Sequence, residues 1–97
     1  MFNNQITYSQ FEVTGINNSS WTEVTGSKGF IKSLLVDNQS TSGIKYRLDE
    51  TTPTGAFGIL VRAGGNRLFD SVVPKNQSLW LRAVDSGSFT VVVEIGG

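Results

Sequence analysis

Apolar and polar residues alternate along much of the chain with a period of two. In residues 89–95, Phe89, Val91, Val93 and Ile95 share one face while the intervening positions face the other way. Residues 44–49 repeat the pattern, with apolar side chains at 44, 46 and 48 and charged ones at 45, 47 and 49. Alternation of this kind indicates β-strands with one buried face, as found in antiparallel sheets.

Six further segments follow the same rules. They are residues 6–13, 21–24, 30–36, 58–62, 68–73 and 78–84, and Gly, Ser, Asn, Asp or Pro separates most of them. We expect the first to end at Thr14 and Gly15, a tight turn at residues 63–66, a longer loop at 50–56, and a hairpin through 85–87 into the last strand. About eight short strands at this spacing predict an all-β fold, a single-domain antiparallel β-sandwich resembling a jelly roll and spanning residues 1–97.

Composition supports strands over helices. The chain of 97 residues holds 25 Val, Ile and Thr against three Ala and one Met, and β-branched side chains fit a pleated sheet better than a helix. With eight basic and eight acidic residues, the balance of charge disfavours a nucleic-acid-binding protein, which needs a basic face. There is no apolar run of membrane-spanning length, and residues 1–5 lack the features of a signal peptide.

Candidate catalytic and metal sites are few. The chain has no Cys and no His, which excludes thiol nucleophiles, disulfides and imidazole catalysis. The carboxylates Asp49, Glu50, Asp70 and Asp85 are interpreted as solvated turn residues rather than a hydrolase pair, and Asp37–Asn38 lacks the spacing of a calcium loop. The glycine-rich segment at 64–67 is interpreted as a hairpin turn and not as a phosphate-binding site. Asn-x-Ser/Thr sequences at 17, 18, 38 and 76 are interpreted as chance. We therefore expect no enzyme, no metal and no cofactor.

An apolar surplus on one strand predicts an intersubunit contact. In residues 30–36 both faces are apolar, with Phe30, Leu34 and Val36 on one and Ile31 and Leu35 on the other. One face can enter the core, and the other requires cover from a loop or from a neighbouring subunit; the sequence leaves these alternatives open. Residues 1–5, which include Phe2, form a possible N-terminal arm that could also reach a neighbour.

Aromatic residues provide the second functional clue. If Leu79, Leu81 and Ala83 face inward, Trp80 and Arg82 share the outer face, and an exposed Trp beside an Arg is typical of interface hot spots. The alternative is a reversed register with Trp80 in the core. Trp21 opens a strand and is predicted to be buried. Exposed Trp or Tyr rings could instead stack on sugars.

Residues 30–95 resemble small β-sandwich virion proteins of tailed bacteriophages, especially head decoration (cement) proteins and related fibre or tail modules. The stretches that carry the resemblance are FIKSLLVDN (30–38), IKYRLD (44–49), LVRAGG (60–65), VP (73–74), LWLRA (79–83) and SGSFTVVVE (86–94). The resemblance implies a location on the capsid surface of a virion, after synthesis in the host cytoplasm, and frequent homotrimers.

These observations together predict a non-enzymatic capsid decoration protein that binds the major capsid protein and bridges capsomers. The predicted contact residues are Phe2, Ile31, Leu35, Trp80 and Arg82. No nucleic acid or membrane partner is expected. The alternative is a carbohydrate-binding module or a fibre or tail adhesion module, for which the partner is a glycan.

Overall fold

A computed structural model describes residues 8–24, 33–69 and 76–96 of the chain, which form eight strands and no helix. The strands are β1 (Tyr8–Ile16), β2 (Thr22–Glu23), β3 (Ser33–Asp37), β4 (Ile44–Asp49), β5 (Ile59–Val61), β6 (Asn66–Phe69), β7 (Ser78–Ala83) and β8 (Phe89–Gly96). Since the described ranges hold only strands and loops, they include no helix that could cross a bilayer.

The strands form two four-stranded antiparallel sheets. Sheet A has the order β1-β8-β3-β6, and sheet B has the order β2-β7-β4-β5. This arrangement of eight strands in two sheets is that of a jelly roll. The predicted fold class, an all-β antiparallel sandwich, is confirmed.

The core lies between the sheets and is built from the positions that the alternation places inward. Its fully covered members come from both sheets. They include Ile16, Leu34, Val36, Ile44, Leu79, Leu81, Ala83, Val91 and Val93. The inward orientation of residues 44, 46 and 48, and of 79, 81 and 83, agrees with the sequence pattern.

The predicted hairpin through residues 85–87 is wrong, because β7 belongs to sheet B and β8 to sheet A. A hairpin would join neighbours in one sheet, whereas this connection passes from one sheet to the other, a separation of about 10 Å in packed sheets. The turn at residues 63–66 is present, with Gly64 at φ 78° and a hydrogen bond from Gly65 N–H to Arg62 O. It also links opposite sheets, since β5 and β6 are not paired.

The first strand continues past Gly15, where the sequence predicted its end. The pairing with β8 becomes irregular between Val13 and Ile16, and Gly15 has a φ of 72°. An extra residue of this kind is a β-bulge, and the left-handed backbone there favours glycine. The bulge turns Ile16, which strict alternation would place outside, into the core, where it is fully buried.

A buried asparagine forms hydrogen bonds to two neighbouring loops of the sandwich. Asn38 has no exposed surface, and its Nδ2 lies 2.8–3.2 Å from the carbonyl oxygens of Ser42, Val61 and Arg62. Its Oδ1 accepts hydrogen bonds from the Ser40 backbone and hydroxyl. These hydrogen bonds join the loop after β3 to the turn after β5.

Candidate functional site

Three of the five predicted contact residues lie in the described part of the chain, and they do not form one surface. Leu35 is on β3 in sheet A, whereas Trp80 and Arg82 are on β7 in sheet B. Phe2 and Ile31 lie outside the described residues. The outer faces of the two sheets must therefore be considered separately.

Trp80 lies on the outer face of sheet B, as predicted, but it is not exposed. Leu79, Leu81 and Ala83 fill the core as the first alternative required, so the register is not reversed. Nevertheless only 8% of Trp80 is accessible, and its indole N–H donates a 3.0 Å hydrogen bond to Asp49 O. The expectation of an exposed Trp80 is wrong, because this face is covered by another part of the chain.

The cover consists of Trp21 and the loop of residues 50–58, called here the covering loop. The indole N–H of Trp21 donates to Gly55 O at 2.8 Å, and two outward-facing side chains of β4 hold the same loop. Lys45 Nζ donates to Ala56 O, and Arg47 Nη1 donates to Thr54 O at 2.8 Å. Sequence analysis identified this loop but gave it no role.

Arginine side chains of sheet B lie against the aromatic rings of Trp21 and of Phe57, which belongs to the covering loop. The guanidinium of Arg47 lies 4.0 Å from the centroid of the Phe57 ring and 5.9 Å from that of the Trp21 ring. The guanidinium of Arg82 also lies 5.9 Å from the centroid of the Trp21 ring. Distances in this range are those of cation–π interactions. Arg82 also donates two hydrogen bonds to Asn18 O, at 2.6 and 3.1 Å. The contacts of these side chains therefore hold the covering loop and Trp21 against sheet B.

Trp21 is buried as predicted, but it does not join the central core. Its accessible fraction is 8%, and its contacts are with outward-facing residues of sheet B. It belongs to a second, smaller apolar layer outside that sheet. Alternation along one strand cannot reveal such a layer, because the layer depends on where a distant loop folds back.

The outer face of sheet A is different, since none of the described loops lies across it in this way. Strand register places its side chains in two rows that cross all four strands. One row is Gln10, Glu94, Leu35 and Leu68, and the next is Glu12, Val92, Asp37 and Asn66. We call these eight residues the sheet A face.

The sheet A face combines apolar and acidic side chains. Leu35 is half-buried and lies opposite Leu68, which is 55% exposed, while Glu94 is its neighbour on β8. The acidic residues are Glu12, Asp37 and Glu94, and there is no Lys or Arg among these eight positions. The five Lys and Arg side chains that the structure describes lie instead on sheet B or beside the opening between β5 and β6.

A second exposed apolar region extends from the end of the covering loop into β5. Phe57 is 69% exposed, Ile59 61% and Leu60 50%. Ile59 and Leu60 lie on β5, the last strand of sheet B, and Phe57 precedes it in the covering loop. Sequence analysis singled out none of the three. The available clue was the presence of three large apolar residues among the four positions 57–60.

Two of the polar side chains considered as candidate sites are engaged within the chain. Asp49 lies 3.1 Å from Arg47 as an ion pair, and Asn38 Oδ1 is occupied by Ser40. Among the residues that the structure describes, no three His, Cys, Asp or Glu side chains cluster as a metal site would require. Asp70 lies outside the described residues.

Comparison with known proteins does not assign the chain to a family. Neither a scan with protein-family models nor a search of curated proteins found a match.

Proposed function

We propose that this protein is a non-enzymatic structural protein of a phage particle, a decoration protein that binds the major capsid protein and ties neighbouring capsomers together. The observation that carries the proposal is the sheet A face, across which no loop within residues 8–24, 33–69 and 76–96 lies. The same chain covers the outside of sheet B with its own loop and Trp21 but leaves Leu35 and Leu68 on the outside of sheet A.

The composition of this face suits contact with another protein. Interfaces commonly have an apolar centre and a polar rim. Here Leu35 and Leu68 are adjacent, and Glu94, Asp37 and Glu12 lie around them and Val92. The complementary surface on the capsid protein would be apolar with basic residues at its margin.

Each single contact between such a protein and the capsid can be weak and still keep the protein bound when it is repeated. Interfaces of about 800 Å² per partner are typical of stable complexes, and repetition by symmetry strengthens retention through avidity. A rigid sandwich can bear load across a joint between capsomers, because its four-stranded sheets share one continuous core. A homotrimeric arrangement on the capsid surface remains part of this proposal.

The predicted contact residues have different parts in it. Leu35 becomes a central contact residue together with Leu68. Trp80 and Arg82 are assigned to holding the cover of sheet B, since both are engaged within the chain. Phe2 and Ile31 stay predicted contact residues.

Retention on capsids tests the proposal. Heads of the encoding phage that lack this protein are mixed with purified wild type, and bound protein is measured after sedimentation. We expect the double variant Leu35→Ser/Leu68→Ser to lose at least about tenfold in affinity. The control is Val84→Ser, which removes an exposed apolar side chain that follows β7 and lies in neither the sheet A face nor the opening between β5 and β6. Absence of wild-type binding, or equal binding by the double variant with an unchanged circular dichroism spectrum, would contradict the proposal.

A carbohydrate-binding or fibre adhesion module is the second candidate, and one observation favours it. Phe57 is 69% exposed beside a groove that contains Arg47, Asp49 and Arg67, and sugar sites often combine an aromatic ring with such polar groups. By contrast, Trp21, Trp80 and Tyr46 are buried. Titration with glycans would decide, because Trp21 lies beneath the covering loop and its fluorescence would report binding near Phe57. The decoration proposal predicts no response at millimolar glycan concentrations.

A further inference from the structure

The sandwich is open along one side, between β5 and β6. These strands end sheet B and sheet A respectively and do not pair with each other. Two adjoining depressions there, of about 580 and 530 Å³, share Tyr46, Ile59 and Arg67 in their walls. Together they form a continuous groove, called here the β5 groove, and each part lies within the roughly 300–1,000 Å³ range of ligand sites.

Apolar side chains line much of the β5 groove. Ile59 and Leu60 lie on the strand, and Phe57 precedes it, with half or more of each side chain exposed. Exposed apolar residues on an edge strand promote association, and proteins usually shield such edges. This edge has no shield among the described residues, so the exposed strip is a candidate contact surface.

The charges of the groove are predominantly positive. Three arginines, Arg47, Arg62 and Arg67, line it against one carboxylate, Asp49. Arg47 and Asp49 form an ion pair at 3.1 Å, so the surplus positive charge of the groove comes from Arg62 and Arg67. A ligand that carries its own carboxylates would therefore complement the groove, because arginine binds carboxylates with charge-assisted hydrogen bonds.

The backbone of β5 determines the shape of the ligand. β5 pairs with β4 on one side, and no described strand pairs with its other side. An unpaired strand edge accepts an extended peptide as an additional strand, whose alternate side chains then enter pockets along the edge. The groove thus combines an edge strand with apolar side chains and cations, and these features together suit one extended chain.

We propose that the β5 groove binds an extended, carboxylate-bearing apolar segment of a partner protein. This contact goes beyond the docking of the sheet A face and does not depend on it. Because the two surfaces carry opposite charge, a single copy could hold two different partner surfaces at once.

Peptide probes test the proposal. A labelled octapeptide that alternates valine and glutamate is titrated with purified protein in a fluorescence anisotropy assay, beside a probe in which lysine replaces glutamate. We expect the acidic probe to bind at least about tenfold more tightly than the basic one, and added salt to reduce the difference. No binding of the acidic probe up to about 1 mM, or equal binding of both probes, would overturn the proposal.

Variants locate the binding. Arg62→Glu/Arg67→Glu and, separately, Ile59→Ser should each weaken the acidic probe by about tenfold or more, while Arg62→Lys retains most of the affinity. Leu68→Ser is the control, since it removes a similarly exposed side chain from the sheet A face. Unchanged affinity in both groove variants, with intact circular dichroism, would overturn the proposal.

The competing occupant is a second copy of the chain, whose sheet A face is itself acidic and apolar. Light scattering after size exclusion distinguishes it. The second copy occupies the groove if the wild type self-associates, if Arg62→Glu and Glu94→Arg each abolish this self-association, and if the double variant restores it. The proposal is then wrong. Self-association that neither substitution changes leaves the groove to the acidic segment and supports the proposal when the acidic probe binds.

Discussion

The outer faces of the two sheets differ in what covers them. On sheet B, a tryptophan, two arginines and the covering loop form a second layer, in which Trp80 is only 8% exposed. On sheet A, two rows of side chains lie outside with Leu68 55% exposed. Both faces carry apolar side chains on regular strands, so the difference arises from the loop after β4 and not from the strands themselves. Apolar residues on an outer face therefore indicate a partner only where the chain has not supplied the cover.

The largest effect should follow from removing the centre of the cover. Trp21→Ala deletes a buried ring, two cation–π contacts and the hydrogen bond to Gly55 O, and should lower the free energy of unfolding by about 3–5 kcal/mol. Urea denaturation measures it. Tyr8→Ala, at an exposed position on sheet A, is the control and should change it by about 0.5 kcal/mol or less. Similar losses in both variants would remove the distinction between the faces.

A smaller effect is expected where the cover approaches β4 most closely. A Cβ atom at Gly58 would lie 3.0 Å from both Tyr46 O and Cη2 of Trp21. Gly58→Ala should therefore destabilise the protein by about 1–3 kcal/mol and shift the tryptophan emission, because the covering loop must move. Thr52→Ala is the comparison, since Thr52 is exposed in the same loop and its truncation should change the free energy of unfolding by about 0.5 kcal/mol or less. If Gly58→Ala leaves the emission unchanged, the loop does not rest on Trp21.

The stacking of arginine can be weakened while its charge is kept. Arg47→Lys should lower the free energy of unfolding by about 1 kcal/mol, because lysine lacks the planar group that stacks between Phe57 and Trp21. Thermal denaturation is sufficient to detect this. Arg62→Lys, on an exposed residue beside β5, should be neutral. Equal stability of wild type and Arg47→Lys would mean that charge alone holds the loop.

The smallest effect on stability is predicted on the sheet A face. Leu68→Ser should change the free energy of unfolding by no more than about 0.5 kcal/mol, since more than half of this side chain is already in solvent. Chemical denaturation of the isolated protein measures it. A loss of well over about 1 kcal/mol would show that Leu68 is covered in the folded chain, which would remove the main support for docking at this face.

Sequence alone predicted a part of the candidate site. Leu35 was identified because β3 is apolar on both faces, and the register confirms that it points away from the core that holds Leu34 and Val36. Its neighbour Leu68 was not identified, because only strand pairing places β6 beside β3. The pairing of Trp80 with Arg82 on one face was correct, but their exposure could not be predicted from β7.

What the sequence determined was local: eight strands, their inward faces, and the turn at residues 63–66. Alternation fixes the two faces of a strand because successive side chains point in opposite directions. What only the tertiary structure decided was which sheet each strand joins, where the covering loop rests, and the clustering of Arg47 and Arg82 around Trp21. These depend on contacts between residues far apart in the chain, such as Arg82 with Asn18 and Trp80 with Asp49, and no local pattern encodes such distances.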